Sequence, residues 1–343
     1  MDIAKARSLL TSALRPLFIF DDDVDGLCSF LQLWRMCRCG KGMPLKSRPV
    51  INEQFLRHVK NYDADLVVVL DIPNITQEFI DNCPVPVLWV DHHEVGETDT
   101  TLYLNPLKEG KESYPTSYWS YLIADSPRND LWIAAAGYIS DWQIVPDIHA
   151  EVEEAYASLV PPGKKAQELL FDSEMGELIK ILMFNLKGGS SDVRKSINTL
   201  TRIDNPFEIL KKKSPAGRFI ARRAVEHEKA YNELLDAIRA KEYPGKMLVF
   251  VYEDTTTSMT SFLSNEILYH YPDKVTIIAR HKGDEYKCSL RASPPLDLHG
   301  IVSAALSQVE GYGGGHMQAC GACIKEHDFQ KFVELIREQV EKE

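Results

Sequence analysis

The sequence predicts an α/β protein with two domains, in which a parallel-sheet domain with flanking helices precedes a helical linker and a smaller α/β domain. In the first half of the chain, near-continuous apolar strands alternate with segments of helical periodicity, a pattern typical of a parallel sheet covered on both faces. Residues 191–243 are polar and mostly helical, and strand and helix patterns alternate again from residue 244. We therefore expect a first domain at 1–190, a linker at 191–243 and a second domain at 244–343.

Composition narrows the class of protein. The 343 residues, 44% hydrophobic and 26% charged, are typical of a globular protein with two cores. The absence of an apolar run of roughly 20 residues and of a signal peptide predicts a cytoplasmic protein without a membrane partner. Seven cysteines also favour a reducing compartment. The net charge of −11 argues against bulk coating of nucleic acid but is compatible with a local basic groove.

Acidic residues follow each of the three apolar strands in the first half of the chain. These strands and their acidic residues are 17–20 with Asp21 to Asp25, 66–70 with Asp71, and 85–90 with Asp91. Because parallel strands joined by right-handed crossovers end at one edge of the sheet, we expect these carboxylates to converge there. The Ala-rich segment 131–139 predicts a buried helix, which we expect to bring Asp141 to the same edge.

The acidic cluster predicts a site for divalent metal. In an extended backbone Asp21, Asp23 and Asp25 would project to one side, where their mutual repulsion favours neutralisation by cations. Carboxylates together with His92 suit Mn²⁺ or Mg²⁺, and two such ions about 3.5–4 Å apart can activate water for phosphoryl displacement. The alternative is an acidic loop that only caps the following helix. We expect hydrolysis of a phosphate ester.

A second group of candidate residues lies near the end of the chain. The glycines of Gly313-Gly314-Gly315-His316 would let backbone N–H groups approach an anion closely, with Arg291 and His316 as polar partners. A glycine-rich turn without a ligand is the alternative interpretation. The cysteine pairs at 37 and 39 and at 320 and 323 lack a second ligand pair at zinc spacing, so we interpret them as ordinary thiols.

These motifs together resemble the DHH phosphoesterase superfamily, specifically its members with the DHH-associated C-terminal domain. The name-giving triplet is present as Asp91-His92-His93. The segment from Asp21 to Gly26 is similar to the Asp-x-Asp-x-Asp-Gly form of RecJ-like exonucleases, whereas nanoRNase-like relatives usually begin this motif with histidine. The second domain carries a Gly-Gly-His signature at Gly314-Gly315-His316, with Cys320 where the family often has alanine.

The resemblance implies roles for individual residues. It implies one metal ion bound by Asp21, Asp23 and Asp71, and a second bound by Asp25, Asp71, His92 and Asp141. His93 would face the scissile phosphate, and Asp91 would support an imidazole. Substrate would be bound by Arg291, Gly313, Gly314, Gly315 and His316. The implied cofactors are two Mn²⁺ or Mg²⁺ ions.

The implied activity is that of a metal-dependent phosphodiesterase, in the first place an exonuclease that hydrolyses single-stranded or short oligonucleotides from one end. One alternative is a pAp phosphatase or a phosphodiesterase of linear or cyclic dinucleotides. Another is a non-catalytic, RecJ-related replication scaffold, although all the expected ligands are present. Replication or repair proteins and further copies of the chain stay open as partners.

Overall fold

The computed structural model describes residues 1–46, 50–96, 98, 102–253 and 258–342. They form two compact units, Met1–Val225 and Glu226–Glu343. The strands of the first unit are β1 Pro16–Asp21, β2 Lys41–Leu45, β3 Val50–Ile51, β4 Leu66–Leu70, β5 Asn74–Ile75, β6 Val87–Val90 and β7 Leu102–Leu104. The helices that begin in this unit are α1 Ile3–Ser12, α2 Val24–Cys37, α3 Leu56–Tyr62, α4 Gln77–Asn82, α5 Thr116–Ala124, α6 Leu131–Ser140, α7 Pro146–Ala155, α8 Ala166–Asp172, α9 Glu174–Asn185, α10 Ser190–Leu200, α11 Pro206–Leu210 and α12 Pro215–Arg239.

The main sheet of the first unit is parallel, which confirms the predicted fold class. Its strand order is β2-β1-β4-β6-β7. In the register of the sheet Phe20 pairs with Leu70, and Leu70 pairs with Val90. The acidic residue that ends or follows each of these three strands therefore lies at one edge of the sheet, as the sequence predicted. The edge strand β2 was not predicted, because its Gly42 and Pro44 are residue types that strands disfavour.

Apolar side chains cover both faces of this sheet, which explains the uniformly apolar strands. On one face Phe30 of α2 stacks on Phe20 and contacts Phe18 edge to face. On the other face the strand side chains pack against α3 and α4 through Val59 and Phe79, both of which are buried. Each fully buried side chain of this size contributes about 1.5–3 kcal/mol to folding, so the strands are fixed firmly beneath the acidic edge.

Helices α9, α10 and α12 are connected by buried hydrogen bonds. The Nδ2 atom of Asn185 donates to the carbonyl oxygen of Ile220 at 3.0 Å, and the Oγ atom of Ser196 donates to Asn185 Oδ1 at 2.8 Å. Helix α12 is continuous over 25 residues. The division of the chain into domains at residues 190 and 243 stays a proposal. No helix in the described part of the chain is both long and apolar enough to span a membrane.

The second unit has a mixed sheet with helices on both faces. Its elements are β8 Met247–Glu253, α13 Thr260–His270, β9 Val275–Lys282, β10 Glu285–Arg291, α14 Leu298–Leu306, β11 Gly311–His316, β12 Ala319–Lys325 and α15 Phe329–Val340. The strand order is β11-β12-β10-β9-β8, in which only β8 and β9 pair in parallel. Leu290 lies in the core formed with α14 and α15. Residues 311–316 form an edge strand, which corrects their alternative interpretation as a glycine-rich turn.

Candidate active site

The acidic segment after β1 changes from strand to helix within a few residues. Asp23 has an extended backbone and is the N-cap of α2, because its Oδ1 atom accepts the Gly26 N–H at 2.9 Å. Asp25 already lies in the first turn of that helix. The expectation of an extended backbone through Asp25 is therefore wrong. A Cβ atom on Gly26 would lie 2.7 Å from the Asp21 carbonyl oxygen, so glycine permits this tight turn.

Asp25 is fully buried and is held by the first residues of α5. Its Oδ2 atom accepts the Thr116 N–H at 2.7 Å, and its Oδ1 atom accepts the Ser117 N–H at 3.1 Å. The free N–H groups of a helix N-terminus favour a negative charge, which suits this buried carboxylate. Thr116 and Ser117 were not among the predicted site residues. Pro115 followed by Thr, Ser and an apolar segment is typical of a helix start, but this pattern does not indicate which side chain the helix N-terminus binds.

Asp71 has an unusual backbone conformation. Its φ angle is +59°, although left-handed conformations are uncommon for residues other than glycine. The side chain is 2% exposed, and its Oδ1 atom accepts a hydrogen bond from Thr116 Oγ1 at 3.2 Å. A strained residue of this kind costs on the order of 1–3 kcal/mol and is maintained by its surroundings, often at functional sites. The backbone thus turns the Asp71 carboxylate toward the other acidic residues.

His92 lies between two carboxylates. Its Nε2 atom is 3.4 Å from Asp71 Oδ1 and 3.4 Å from Asp141 Oδ2. Its Nδ1 atom is 3.4 Å from the carbonyl oxygen of Ser113, and a proton on Nδ1 would leave the Nε2 lone pair for a metal ion. Burial, with a smaller effect from His93, lowers the pKa of His92 to about 4. The ring is therefore neutral at pH 7, which is the form that binds metal.

His93 is oriented by Asp91. The Nδ1 atom of His93 is 2.7 Å from Oδ1 of the fully buried Asp91. Asn105 Nδ2 donates to the His93 carbonyl oxygen at 2.9 Å and to the Tyr103 hydroxyl at 2.9 Å, which fixes the surroundings of this pair. Burial lowers the pKa of His93, but the hydrogen bond and charge of Asp91 outweigh it, so the pKa is raised. Asn105 and Tyr103 carried no recognisable signal in the sequence.

The carboxylates at this edge share one unfavourable environment. Burial, followed by repulsion from neighbouring carboxylates, raises the pKa of Asp21 to about 7 and also raises the pKa values of Asp23, Asp71 and Asp141. Burial likewise raises the pKa of Asp25 to about 6, although the hydrogen bonds from Ser117 and Thr116 oppose the shift. In contrast, Asp22 Oδ2 pairs with Lys187 Nζ at 3.3 Å. Ionisation is thus disfavoured at five of the six predicted metal ligands, all of them aspartates.

The donor atoms at this edge fit a divalent cation. One ligand atom from each of Asp71, His92 and His93 lies within 4.8 Å of the other two. The same holds for Asp25, His92 and Asp141. Carboxylate oxygens with an imidazole nitrogen suit Mn²⁺ or Mg²⁺, and positive charge would relieve the repulsion among the carboxylates. The structure thus brings His92 together with Asp25, Asp71 and Asp141, as predicted.

Arg291, at the end of β10, is a partly buried cation whose hydrogen-bond partners among the described residues are neutral. Its Nε atom donates to Asn265 Oδ1 at 2.6 Å, and Nη2 donates to Ser261 Oγ at 3.2 Å, both on α13. All the acceptors that the described residues offer to this guanidinium are neutral. Burial lowers the pKa of Arg291 to about 10, so the charge is retained at pH 7. A buried charge without an ionic partner is costly, which favours an anionic ligand here.

The glycine strand β11 lies two strands from Arg291. Ala319 of β12 pairs with Arg291 on one side and with His316 on the other, so these three side chains share a face of the sheet. A Cβ atom on Gly313 would lie 2.5 Å from the Gly321 carbonyl oxygen, and one on Gly315 would lie 2.2 Å from the Ala319 carbonyl oxygen. A Cβ atom on Gly314 would meet no atom within 4 Å. The fold therefore requires Gly313 and Gly315 but not Gly314.

Two protein-family models match the chain, one within each unit. The model described as "DHH family, N-terminal domain" matches residues 17–138, and the model described as "DHHA1 domain" matches residues 245–342. No curated protein matches the sequence significantly.

Several solved structures share the fold. RecJ from Thermus thermophilus in complex with Mn²⁺ is 19% identical, with a TM-score of 0.71 over 99% of this chain and 55% of that chain. This chain thus spans about half the length of that RecJ. CDC45 from Entamoeba histolytica is 9% identical, with a TM-score of 0.56 over 98% of this chain and 97% of that chain. The pGpG-specific phosphodiesterase PggH from Vibrio cholerae is 15% identical, with a TM-score of 0.51 over 95% of this chain and 98% of that chain. The chain thus has a RecJ-like fold and combines a DHH N-terminal domain with a DHHA1 domain.

Proposed function

We propose that the protein is a metal-dependent phosphodiesterase and that it acts as an exonuclease on single-stranded or short oligonucleotides. The observation that carries this proposal is the group of buried carboxylates around His92. Such a group is unfavourable without cations, and no apolar packing requirement explains it. The Mn²⁺ and Mg²⁺ complexes of RecJ, whose fold is similar, support the same choice of metal.

Two metal ions would be held by the residues at the acidic edge. Asp21, Asp23 and Asp71 would bind one ion, and Asp25, Asp71, His92 and Asp141 would bind the other. When bound, such a pair lowers the pKa of water and stabilises the negative charge that develops on the phosphoryl oxygens. Asp25 accepts two backbone N–H groups and His92 is held near Ser113, so both side chains are oriented before metal arrives.

His93 would contact the substrate phosphate. The carboxylate of Asp91 holds the Nδ1 side of the ring, which leaves Nε2 free to donate a hydrogen bond when the ring is protonated. The raised pKa of His93 increases the protonated fraction at neutral pH. A cationic donor of this kind stabilises negative charge on a phosphate oxygen more strongly than a neutral donor does.

The second unit would bind another phosphate of the substrate. Arg291 offers a partly buried positive charge, and Gly314 has open space where a Cβ atom would lie. His316 occupies the same face of the sheet as Arg291. Recognition of a phosphate remote from the scissile bond suits a substrate with at least two phosphates, such as an oligonucleotide. It suits a phosphate monoester with a single phosphate less well.

A hydrolysis assay with Mn²⁺ tests this proposal. The substrates are single strands of DNA and RNA at several lengths, labelled at the 5′ or the 3′ end, together with pAp and linear and cyclic dinucleotides. We expect stepwise removal of nucleotides from one end. Turnover of pAp or dinucleotides without activity on longer strands would replace the exonuclease proposal with the small-molecule alternative. No hydrolysis of any substrate would favour a scaffold role.

A further inference from the structure

A groove of about 600 Å³ in the first unit runs along the edge strand β2. Its walls come from β2, from the segment around α3 and from the start of α10. The five residues of β2 give the groove a length of about 16 Å. None of the predicted metal ligands or substrate-binding residues lines this groove, so it is separate from the site described above.

The described lining of the groove is basic and contains no carboxylate. Its charged side chains are Lys41, Lys46, Arg57 and Arg194. Lys41 lies over the Tyr62 ring, and Lys46 Nζ donates to the Gly188 carbonyl oxygen. Burial, followed by the charges of Arg57 and Lys41, lowers the pKa of His58, as expected in a positive environment. This local basic surface contrasts with the overall charge of −11.

Two aromatic rings lie among these cations. Phe55 and His58 both line the groove, and their ring centroids are 5.9 Å apart. Both side chains are only partly buried. A positively charged groove that is also lined by partly accessible aromatic residues is the combination that binds the backbone and bases of single-stranded nucleic acid. An acidic protein segment would use the positive charges but would gain less from the rings.

The groove leads to the acidic edge of the sheet. Leu45, which lines it, pairs with Asp21 in the register of β1 and β2. Burial raises the pKa of Asp22, and the charges of Lys187 and Lys46 oppose this shift, so the groove cation Lys46 lies near the acidic segment. A strand lying in the groove would therefore pass from a basic surface directly to the metal-binding carboxylates, and this contact lies entirely within the first unit.

We propose that this groove binds the phosphates and bases of a single-stranded nucleic acid a few nucleotides from the end that is hydrolysed. The proposal rests on the proposed function for the position of the scissile bond, but not for binding itself. It predicts that longer substrates bind more tightly than dinucleotides, which are too short to occupy both the groove and the metal site.

The test compares two charge-matched double variants of the full chain. Arg57→Gln with Arg194→Gln removes two groove cations. Lys60→Gln with Lys195→Gln removes two exposed cations from the same helices, α3 and α10, and neither of those residues lines the groove. Binding of fluorescent single strands of about 20 nucleotides is measured by anisotropy against salt concentration, in an Asp71→Asn background that blocks hydrolysis.

We expect the affinity of the groove variant for the single strand to depend less on salt concentration than that of the parent. Each lost phosphate contact reduces the slope of log affinity against log salt by about 0.7, so two contacts give about 1.4. Between about 50 and 200 mM salt, the affinity of the groove variant should therefore fall about 7-fold less than that of the parent. The control variant should keep the parent slope. With Asp71 intact, the groove variant should also raise KM for the long strand but not for a dinucleotide.

Equal slopes for the groove and control variants would overturn the proposal, as would absence of binding by the parent. Displacement of the strand by a poly-glutamate peptide at equal charge concentration would also overturn it, in favour of an acidic protein partner. Groove-dependent binding without hydrolysis of any substrate would instead reject the proposed exonuclease function while supporting the nucleic-acid groove. The failures of the two proposals are thus distinguishable.

Discussion

The Oδ1 atom of Asp91 lies 2.7 Å from the Nδ1 atom of His93, and the two side chains belong to residues separated by one position in the chain. The Asp91 carboxylate is fully buried, whereas the His93 ring is about one-third exposed. One end of the imidazole is thus fixed inside the protein while the other end is accessible. This arrangement suits a residue that is held in one orientation to meet a substrate.

Replacement of Asp91 by Asn should reduce catalysis without preventing metal binding. The amide keeps the size of the side chain. It loses the negative charge that orients His93 and favours the protonated form of its ring. We expect kcat/KM to fall about 10- to 100-fold, the usual cost of losing a partner that orients a site residue. Steady-state kinetics and Mn²⁺ titration calorimetry measure the two effects.

Tyr103→Phe provides the control for this substitution. Its hydroxyl lies 3.5 Å from Asp91 Oδ2, at the limit of a hydrogen bond, and accepts a hydrogen bond from Asn105 Nδ2 at 2.9 Å. Because this substitution removes one support of the pair but keeps the Asp91 charge, kcat/KM should fall less than in Asp91→Asn. Equal activity of Asp91→Asn and the parent would contradict the orienting role. A loss of Mn²⁺ affinity as large as the loss of activity would instead indicate that Asp91 acts on the metal site.

Asp71→Asn should abolish both hydrolysis and stabilisation by Mn²⁺. Metal that binds only the folded state at about 100 times its Kd adds about 2.7 kcal/mol to the free energy of unfolding. Thermal melts with and without Mn²⁺ measure this difference. Asp22→Asn is the matched control, because Asp22 pairs with Lys187, and it should keep the Mn²⁺-induced rise in Tm. A full rise in Tm for Asp71→Asn would refute the proposed metal ligation.

The stability of the metal-free protein should fall as the pH rises from about 4 to about 7. The pKa of Asp21 is raised from 3.8 to about 7 and that of Asp25 to about 6, and the other predicted carboxylate ligands are raised as well. The pKa of His92, lowered to about 4, acts in the opposite direction, but one histidine is outweighed by five carboxylates, so the folded state binds more protons than the unfolded state in this range. Stability is therefore greatest below the unfolded pKa and is lost as these carboxylates ionise. Melts in EDTA should show this loss, and Mn²⁺ should reverse it at pH 7. If Mn²⁺ left the dependence of Tm on pH unchanged, the result would contradict the prediction that these carboxylates bind the metal.

The sequence was sufficient to predict the acidic edge of the sheet. The strands before Asp71 and Asp91 are uniformly apolar, and the parallel order of such strands follows from general rules of chain connection. The predicted end of the Ala-rich helix near Asp141 is likewise confirmed. These inferences succeeded because burial and periodicity are properties that each segment carries by itself.

The support of the site could not be predicted in the same way. The N–H groups of Thr116 and Ser117 reach Asp25 from 91 and 92 residues away, and backbone donors leave no mark on residue type. Asn105, which donates to the His93 carbonyl oxygen, directly follows a strand of three residues. Such a strand is too short to give a periodic signal in the sequence. The requirement for Gly137 arises only from tertiary packing, since a Cβ atom there would lie 2.2 Å from Ser117 Oγ.

Arg291→Lys should weaken substrate binding while leaving the chemical step intact. Lysine keeps the positive charge but cannot reproduce the planar contacts to Asn265 and Ser261. Loss of one charged hydrogen bond of about 1.5–3 kcal/mol raises KM by about 10- to 100-fold, with kcat unchanged if the contact is equal in ground and transition states. An unchanged KM for oligonucleotides would contradict a role of Arg291 in phosphate binding.

A pair of alanine substitutions separates the fold from the function of the glycine strand. Gly313→Ala should destabilise the second unit, because its Cβ atom would lie 2.5 Å from the Gly321 carbonyl oxygen. Overpacking of this kind typically costs about 1–3 kcal/mol. Gly314→Ala should fold normally, since the new Cβ atom would meet no protein atom within 4 Å.

If substrate phosphate approaches the backbone at Gly314, that methyl group should hinder it. Loss of a backbone hydrogen bond of about 1.4 kcal/mol corresponds to a KM about tenfold higher. Thermal melts and oligonucleotide kinetics of both variants provide the measurement. Parent-like KM together with parent-like Tm for Gly314→Ala would show that the open side of the strand does not bind substrate, and would leave Arg291 and His316 as the candidate phosphate contacts of this unit.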